Sequence, residues 1–371
     1  MMITGRSGMT NNTPSPCFVM EEKKLDGNLQ YFENLAQETG IIWLYTVKAF
    51  HEEEGLSCIA KRLEGFSIGN LNEYQNVKKQ SYTHLHSYAP AYYKNEVESL
   101  AQKSTTLSFN SLSQWQRHAH TCKQTSLGLR IDPMLSLKQP HYCDTNKSRL
   151  GVDYRVFLEA YPTLTQLEGL HFHALCHQNV SAFMKLIEHI RTHYQDILPK
   201  LKWLNLGGGQ NFTHEDYDTD AFMACIISFK SAFPNLTIYL EPGSSVVYKT
   251  GYFECTILDI IDDIVILDTS IETHLLDIAI TNQSPKVRST SQNKTPHTYT
   301  LTGMSCIAGD EIGTYNFNEA LAVGNKVIFE DMMGYTLVKQ TGFNGIEKAK
   351  FILATSQPST HLPTFSIPQN K

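Results

Sequence analysis

The sequence predicts an α/β chain, a (β/α)8 TIM-type barrel followed by a second, mostly β domain. Three observations carry this expectation. A short apolar run at residues 41–47 opens a series of eight strand candidates, most of them separated by helical segments. The alternation continues to residue 240, and it is the only internal repeat. After Glu241 helical periodicity fades, and short strand-like runs separated by turns take over.

Residues 1–13 are polar and irregular and read as a loose leader. Residues 15–20 read as a short strand that joins the β domain. Leu25, Leu29, Phe32 and Leu35 recur at helical spacing, and Gly40 ends that helix. The barrel strands are expected at 41–47, 63–68, 83–88, 106–109, 126–131, 167–174, 203–206 and 236–240. Helices are expected at 71–79, 94–102, 111–120, 153–161, 179–194 and 218–233. Further strands are expected at 246–256, 263–267, 298–301, 326–330 and 337–340. Residues 281–298 are polar and read as an exposed loop, and 356–371 as a tail. The division is therefore 1–20 leader and strand, 21–243 barrel, and 244–371 β-rich domain.

A length of 371 residues suits two domains. Hydrophobic residues at 41% and charged residues at 18% are those of a globular protein. The net charge of −6 comes without a basic stripe, which argues against nucleic acid as a partner. The eight cysteines form no CxxC pair, and no signal-peptide pattern precedes them. They read as free thiols in a reducing cytoplasm, and no metal site is expected. Asp259, Asp262 and Asp263 interrupt the apolar run at 257–267, so no membrane partner is expected either.

In a parallel barrel, chemistry sits where strands end. Lys48 ends the strand at 41–47, and His173 ends His171-Phe172-His173. Gly207-Gly208-Gly209 follows 203–206, and Glu241 follows 236–240. A lysine at a barrel mouth most often only reaches for water, but desolvation can make it a Schiff-base nucleophile. Three glycines can be a plain loop or can bring N–H groups up to a phosphate. A histidine there can be a satisfied rim residue or can stack on an aromatic ring. A carboxylate can sit in a salt bridge or hold a pyridine nitrogen protonated. Taken together, the four features call for an aldehyde, a phosphate, an aromatic ring and a ring nitrogen, which is pyridoxal 5′-phosphate (PLP).

The segment Tyr45-Thr46-Val47-Lys48-Ala49-Phe50 resembles the PLP-lysine motif of the fold-type III decarboxylases, which share the alanine racemase-like fold. The chain is most similar to the carboxynorspermidine (carboxyspermidine) decarboxylase branch of that family. The likeness runs through Gly169-Leu170-His171-Phe172-His173, Asn205-Leu206-Gly207-Gly208-Gly209, Glu241-Pro242-Gly243, Ser305-Cys306-Ile307-Ala308-Gly309-Asp310 and Gly334-Tyr335-Thr336. The resemblance implies that Lys48 carries PLP, His173 stacks on the ring and Glu241 pairs with the ring nitrogen. Gly207, Gly208, Gly209 and Tyr335 would hold the phosphate. It also implies a homodimer with shared active sites, in which Cys306 enters from the partner subunit to transfer a proton. Asp310 lies near the amino end of a carboxylated polyamine in this reading, with His274 and Asp277 as further substrate contacts. The expected reaction is decarboxylation to norspermidine or spermidine in polyamine biosynthesis. Alternatives are another carboxylated amine or diamino acid as substrate, or a decarboxylase-like regulator without activity. Ser244, His177 and residues 274–288 depart from the branch pattern, which marks them as specificity elements.

Overall fold

The computed structural model describes residues 14–135, 148–293 and 295–355. The leader at 1–13 and the tail at 356–371 lie outside the described residues. Eight parallel strands close into a barrel: Ile42–Thr46, Gly65–Ile68, His84–Tyr88, Thr106–Phe109, Ser126–Asp132, Gly169–Phe172, Trp203–Asn205 and Thr237–Leu240. Closure comes from the pairing of Thr237–Leu240 with Ile42–Thr46 and of Thr106–Phe109 with Ser126–Asp132. A two-residue strand, Val152–Asp153, pairs outside the ring with Ser126–Asp132. All eight strands stand where the sequence places them, within a few residues.

Local chemistry sets the turns that feed this ring. Asn70 caps the helix Leu71–Val77 by accepting from the N–H of Glu73, and the Glu73 carboxylate returns to the N–H of Gly69 at 2.7 Å. This reciprocal capping box fixes the turn after Gly65–Ile68. Ser111 and Gln114 repeat the arrangement after Thr106–Phe109. The helix Glu22–Thr39 buries Leu25, Leu29, Phe32 and Leu35 and ends on Gly40 at φ 63°.

Trp203 fills the lower interior of the barrel. A Cβ on Gly169 would meet its indole at 2.0 Å and one on Gly128 at 2.4 Å, so these two positions need glycine. The indole N–H donates to Ser126 Oγ at 2.8 Å, which satisfies its one polar atom. Leu44 and Tyr239 pack against the same indole. The polar side chains above this layer form the mouth.

The second sheet runs in the order Glu311–Asn316, Thr298–Thr302, Ile264–Leu267, Gly251–Ile261, Cys17–Glu21 and Lys350–Ala354, with Lys326–Glu330 paired to Gly251–Ile261. Its N-terminal strand pairs antiparallel with Gly251–Ile261 and parallel with Lys350–Ala354. Phe18, Phe253 and Phe329 stack across the sheet and join the common core.

Several sequence expectations give way here. Residues 337–340 are not a strand. Tyr335–Val338 is a short helix that begins after Gly334 at φ 87° and buries Thr336 and Leu337 on one side. The strand expected to start at 246 begins at Gly251, after a helical turn at Ser244–Val247. The loop at 281–298 is not fully exposed, since Val287 is buried and pairs with Phe329. Among the described residues six cysteines are free, but Cys176 is disulfide-bonded, against the expectation of free thiols throughout. Spacing along the chain carries no record of which sulfurs the fold brings together. No helix among the described residues is long and apolar enough to cross a membrane.

Candidate active site

The barrel mouth is assembled from strand ends. Lys48 stands in the turn Val47–Ala49, directly after Ile42–Thr46. Two hydrogen bonds lash that strand end to its neighbour: Thr46 N–H donates to Pro242 O at 2.9 Å and Thr46 Oγ1 to Glu241 O at 3.1 Å. Lys48 and Glu241 are thus fixed on adjacent strands. Lys48 is exposed at the mouth, while protein crowds its ammonium group. Burial pushes its ammonium below the usual lysine range, Glu241 pulls it back up, and Arg130 pushes it down.

Glu241 is 6% exposed. Its Oε1 accepts from Asn205 Nδ2 at 2.7 Å. His86 Nε2 lies 3.8 Å from Oε1, and His171 Nε2 lies 3.8 Å from Oε2. Asn205 also accepts from the N–H of Gly207 at 2.8 Å, which ties the carboxylate to the glycine loop.

The three glycines are dictated by close packing. A Cβ on Gly207 would meet Phe172 O at 2.3 Å, one on Gly208 Glu241 O at 2.1 Å, and one on Gly209 Leu175 O at 1.9 Å. Gly207 and Gly209 also have φ of 68° and 88°. The loop therefore presents its backbone between the ends of two other strands. Gly208 N–H donates to His173 Nδ1 at 3.3 Å, which leaves the proton of the neutral ring on Nε2. Burial holds the His173 imidazole well below its usual range, with Arg130 and Lys48 adding to the effect. A Cβ built on Gly243 would lie 3.9 Å from the Tyr335 hydroxyl and 3.0 Å from Ala49 Cβ. Gly243, Tyr335 and the turn carrying Lys48 therefore meet. Burial pushes the Tyr335 phenol up to about 12, helped by Asp277.

Asp277 pairs with Lys339 and accepts from Thr336 Oγ1 at 3.3 Å, beside Tyr335. Asp310 is 3% exposed. Its carboxylate accepts from the N–H of Ile271 at 2.8 Å and of Ser305 at 3.1 Å. It thereby shapes the loop that carries Cys306, which is exposed between exposed Met304 and Ile307. His274 is fully enclosed, with Nδ1 3.0 Å from Thr269 Oγ1 and Nε2 2.8 Å from Glu347 O. The fold thus gathers Lys48, His173, the glycines, Glu241 and Tyr335 at one mouth. Asp310 and His274 have their polar atoms engaged inside the β domain.

Residues 28–248 match the family described as pyridoxal-dependent decarboxylase, pyridoxal binding domain. The chain belongs to this family. It is a PLP-dependent carboxy-lyase, and its mouth suits the cofactor: a lysine at a strand end with a crowded ammonium, a buried carboxylate, a close-packed glycine loop and a tyrosine hydroxyl. The decarboxylase is 35% identical to the carboxyaminopropylagmatine decarboxylase of Synechocystis, covering 91% of this chain and 89% of that one. It is 31% identical to the carboxynorspermidine/carboxyspermidine decarboxylase of Campylobacter jejuni, covering 91% and 92%. The crystal structure of carboxynorspermidine decarboxylase from Campylobacter jejuni, complexed with norspermidine, superposes with a TM-score of 0.86 at 30% identity. That match covers 92% of this chain and 95% of the other.

Sequence reasoning gave no role to five residues of the mouth: His86, His171, Asn205, Arg130 and Tyr88. Arg130 is 7% exposed, donates to His173 O at 3.2 Å and lies 4.6 Å from the centre of the Tyr88 ring. The available signal was a polar residue at an inward position near a strand end, as in His84-Leu85-His86.

Proposed function

We propose that this decarboxylase removes the carboxylate from carboxynorspermidine or carboxyspermidine, giving norspermidine or spermidine in polyamine biosynthesis. The observation that supports this most strongly is the likeness, over nine-tenths of the chain, to the relative that holds norspermidine. A second reading, carboxyaminopropylagmatine as substrate, is favoured by the 35% identity to the Synechocystis relative. All three substrates join an amino-acid head to a long basic chain.

In this reading Lys48 carries the cofactor through Nζ. Its lowered proton affinity favours the neutral amine that such a bond to the cofactor would need. PLP supplies an electron sink for the carbanion left by CO2. Glu241 would hold a proton at the pyridine nitrogen, and the neutral His173 ring would stack on the cofactor. Gly207, Gly208, Gly209 and Tyr335 would hold the phosphate, and Asp277 would meet the basic chain of the substrate. Asp310 and His274 contribute by shaping the β-domain loops rather than by exposed polar atoms.

The enzyme works as a homodimer in which Cys306 of each subunit serves the other subunit's mouth as proton donor. Support comes from the loop itself, which Asp310 anchors through the N–H of Ser305 while Met304, Cys306 and Ile307 are exposed. The six free cysteines accord with a cytoplasmic setting, Cys176 excepted.

The decisive experiment is CO2 release by PLP-loaded enzyme given each of the three substrates, with Lys48→Ala as control. Release from carboxynorspermidine or carboxyspermidine above that from carboxyaminopropylagmatine is expected. The reverse order favours the second reading. No release from any of them, with PLP bound, overturns both.

A further inference from the structure

Deep in the mouth, two imidazoles flank Glu241 and neither is part of the roles assigned above. His86 is fully buried, and its Nδ1 lies 2.7 Å from Thr106 Oγ1. Its Nε2 is buried without a hydrogen-bond partner. His171 is 1% exposed, and both of its ring nitrogens are buried without a partner. Buried polar atoms are satisfied in the great majority of cases, so three orphaned nitrogens around one carboxylate call for an account.

The two Nε2 orphans share a direction. Each Nε2 lies 3.8 Å from a different oxygen of Glu241, and the His86 and His171 rings meet edge to face at 5.2 Å between centroids. Tyr88 packs edge-on against His171 at 5.1 Å, and Trp203 against His86 at 5.7 Å. Aromatic packing therefore fixes both rings, while their Nε2 atoms point at the carboxylate. Burial, against the pull of Glu241, keeps His86 below the usual histidine range. Burial, with His86, Arg130, His173 and Lys48 beside it, keeps His171 well below that range. A neutral imidazole offers one N–H, and Thr106 can donate its hydroxyl proton to His86 Nδ1 and leave that N–H on Nε2.

We infer that His86 and His171 are positioning residues whose Nε2–H groups, together with Asn205, hold Glu241 as an anion, so that Glu241 can keep the cofactor's ring nitrogen protonated. Two neutral donors do this without adding charge. Imidazolium groups in the same places would compete with the pyridinium for the carboxylate. A closing movement of about 1 Å brings each pair within hydrogen-bond length. The inference rests on Glu241 being the partner of that ring nitrogen.

The test uses holoenzyme loaded with PLP carrying 15N in the ring, followed by 15N NMR and by kcat and KM for carboxynorspermidine across pH. The variants are His171→Phe, His86→Phe, His171→Gln and Glu241→Gln, with His171→Leu replacing a phenylalanine variant that does not fold. Wild type is expected to keep the ring nitrogen protonated over the whole range. His171→Phe and His86→Phe are expected to lose that protonation within the range, with kcat down about ten-fold or more and KM little changed. His171→Gln, which retains an N–H donor, is expected to restore much of both. If ring protonation in His171→Phe and His86→Phe matches wild type while Glu241→Gln loses it, the inference is overturned and the role of Glu241 stands. If Glu241→Gln also keeps the proton, the reading of Glu241 itself fails. Equal loss in His171→Gln and His171→Phe means packing rather than donation, and stoichiometric zinc retained by the holoenzyme but not by His86→Phe means a metal site; either overturns the inference.

Discussion

Asn205 joins two parts of the mouth that are remote in sequence: its amide donates to Glu241 Oε1 at 2.7 Å while its carbonyl accepts from Gly207 N–H at 2.8 Å. A single side chain therefore sets both the carboxylate and the first glycine of the loop. Replacing it with alanine removes a charge-assisted bond, worth about 1.5–3 kcal/mol. Asn205→Ala is expected to weaken PLP binding about ten- to hundred-fold. Titration of apoenzyme with PLP, followed by tryptophan fluorescence, measures this. An unchanged dissociation constant would show that Asn205 does not organise the site.

The glycine loop separates close packing from simple flexibility. Gly209→Ala forces a Cβ to 1.9 Å from Leu175 O at a φ of 88°. A loss of about 2–4 kcal/mol of stability is expected, together with loss of bound PLP. Gly309→Ala, where nothing lies within 4 Å, is the control and is expected to stay near wild type. Urea unfolding of the two holoenzymes decides the matter.

Asp331 supplies a pH prediction. Burial pushes its carboxyl up to about 6, against the Lys249 N–H that it accepts. Its folded value lies above the unfolded one, so the native state binds the extra proton. Stability therefore falls as pH rises from about 4 to 6 and stays reduced above that. Asn tolerates the φ of 58° found here and accepts the same hydrogen bond. Asp331→Asn is expected to gain about 1–2 kcal/mol at pH 8, with the gain vanishing below about pH 4. Melting curves at the two pH values check the sign.

Mixing variants tests the shared site. Lys48→Ala and Cys306→Ala homodimers are each expected to release CO2 at least about a hundred-fold more slowly than wild type. After the two are mixed and allowed to exchange subunits, one mouth of each hybrid has both residues intact. Activity is expected to return above the sum of the parts. No recovery, with exchange shown by native mass spectrometry, would place Cys306 in its own subunit's site or outside catalysis.

The barrel was legible because its strands are short apolar runs and its helices carry a clear apolar stripe. Lys48, Glu241 and the glycines were legible because they stand just past such runs. Glu311–Asn316 and Lys350–Ala354 were missed, since their alternation is weak: no residue of the latter is fully buried. Tyr335–Val338 was misread because β-forming residues sit in a helix set by Gly334 and by burial of Thr336 and Leu337. His86 went unnoticed for a different reason. Its significance lies in proximity to His171 and Glu241, and closure of a ring creates that proximity.

The strand Cys17–Glu21 lies between Gly251–Ile261 and Lys350–Ala354. It is made before the whole barrel, its antiparallel neighbour follows directly after the barrel, and its parallel neighbour comes last of the three. Throughout translation of the intervening residues it has no sheet to join, although the barrel can already close behind it. The nascent chain thus carries an unpaired, apolar β segment until Gly251–Ile261 follows the barrel, and that segment keeps one open edge until Lys350–Ala354 arrives. The second sheet therefore cannot begin to assemble around its first strand before the barrel that separates its parts has been synthesised.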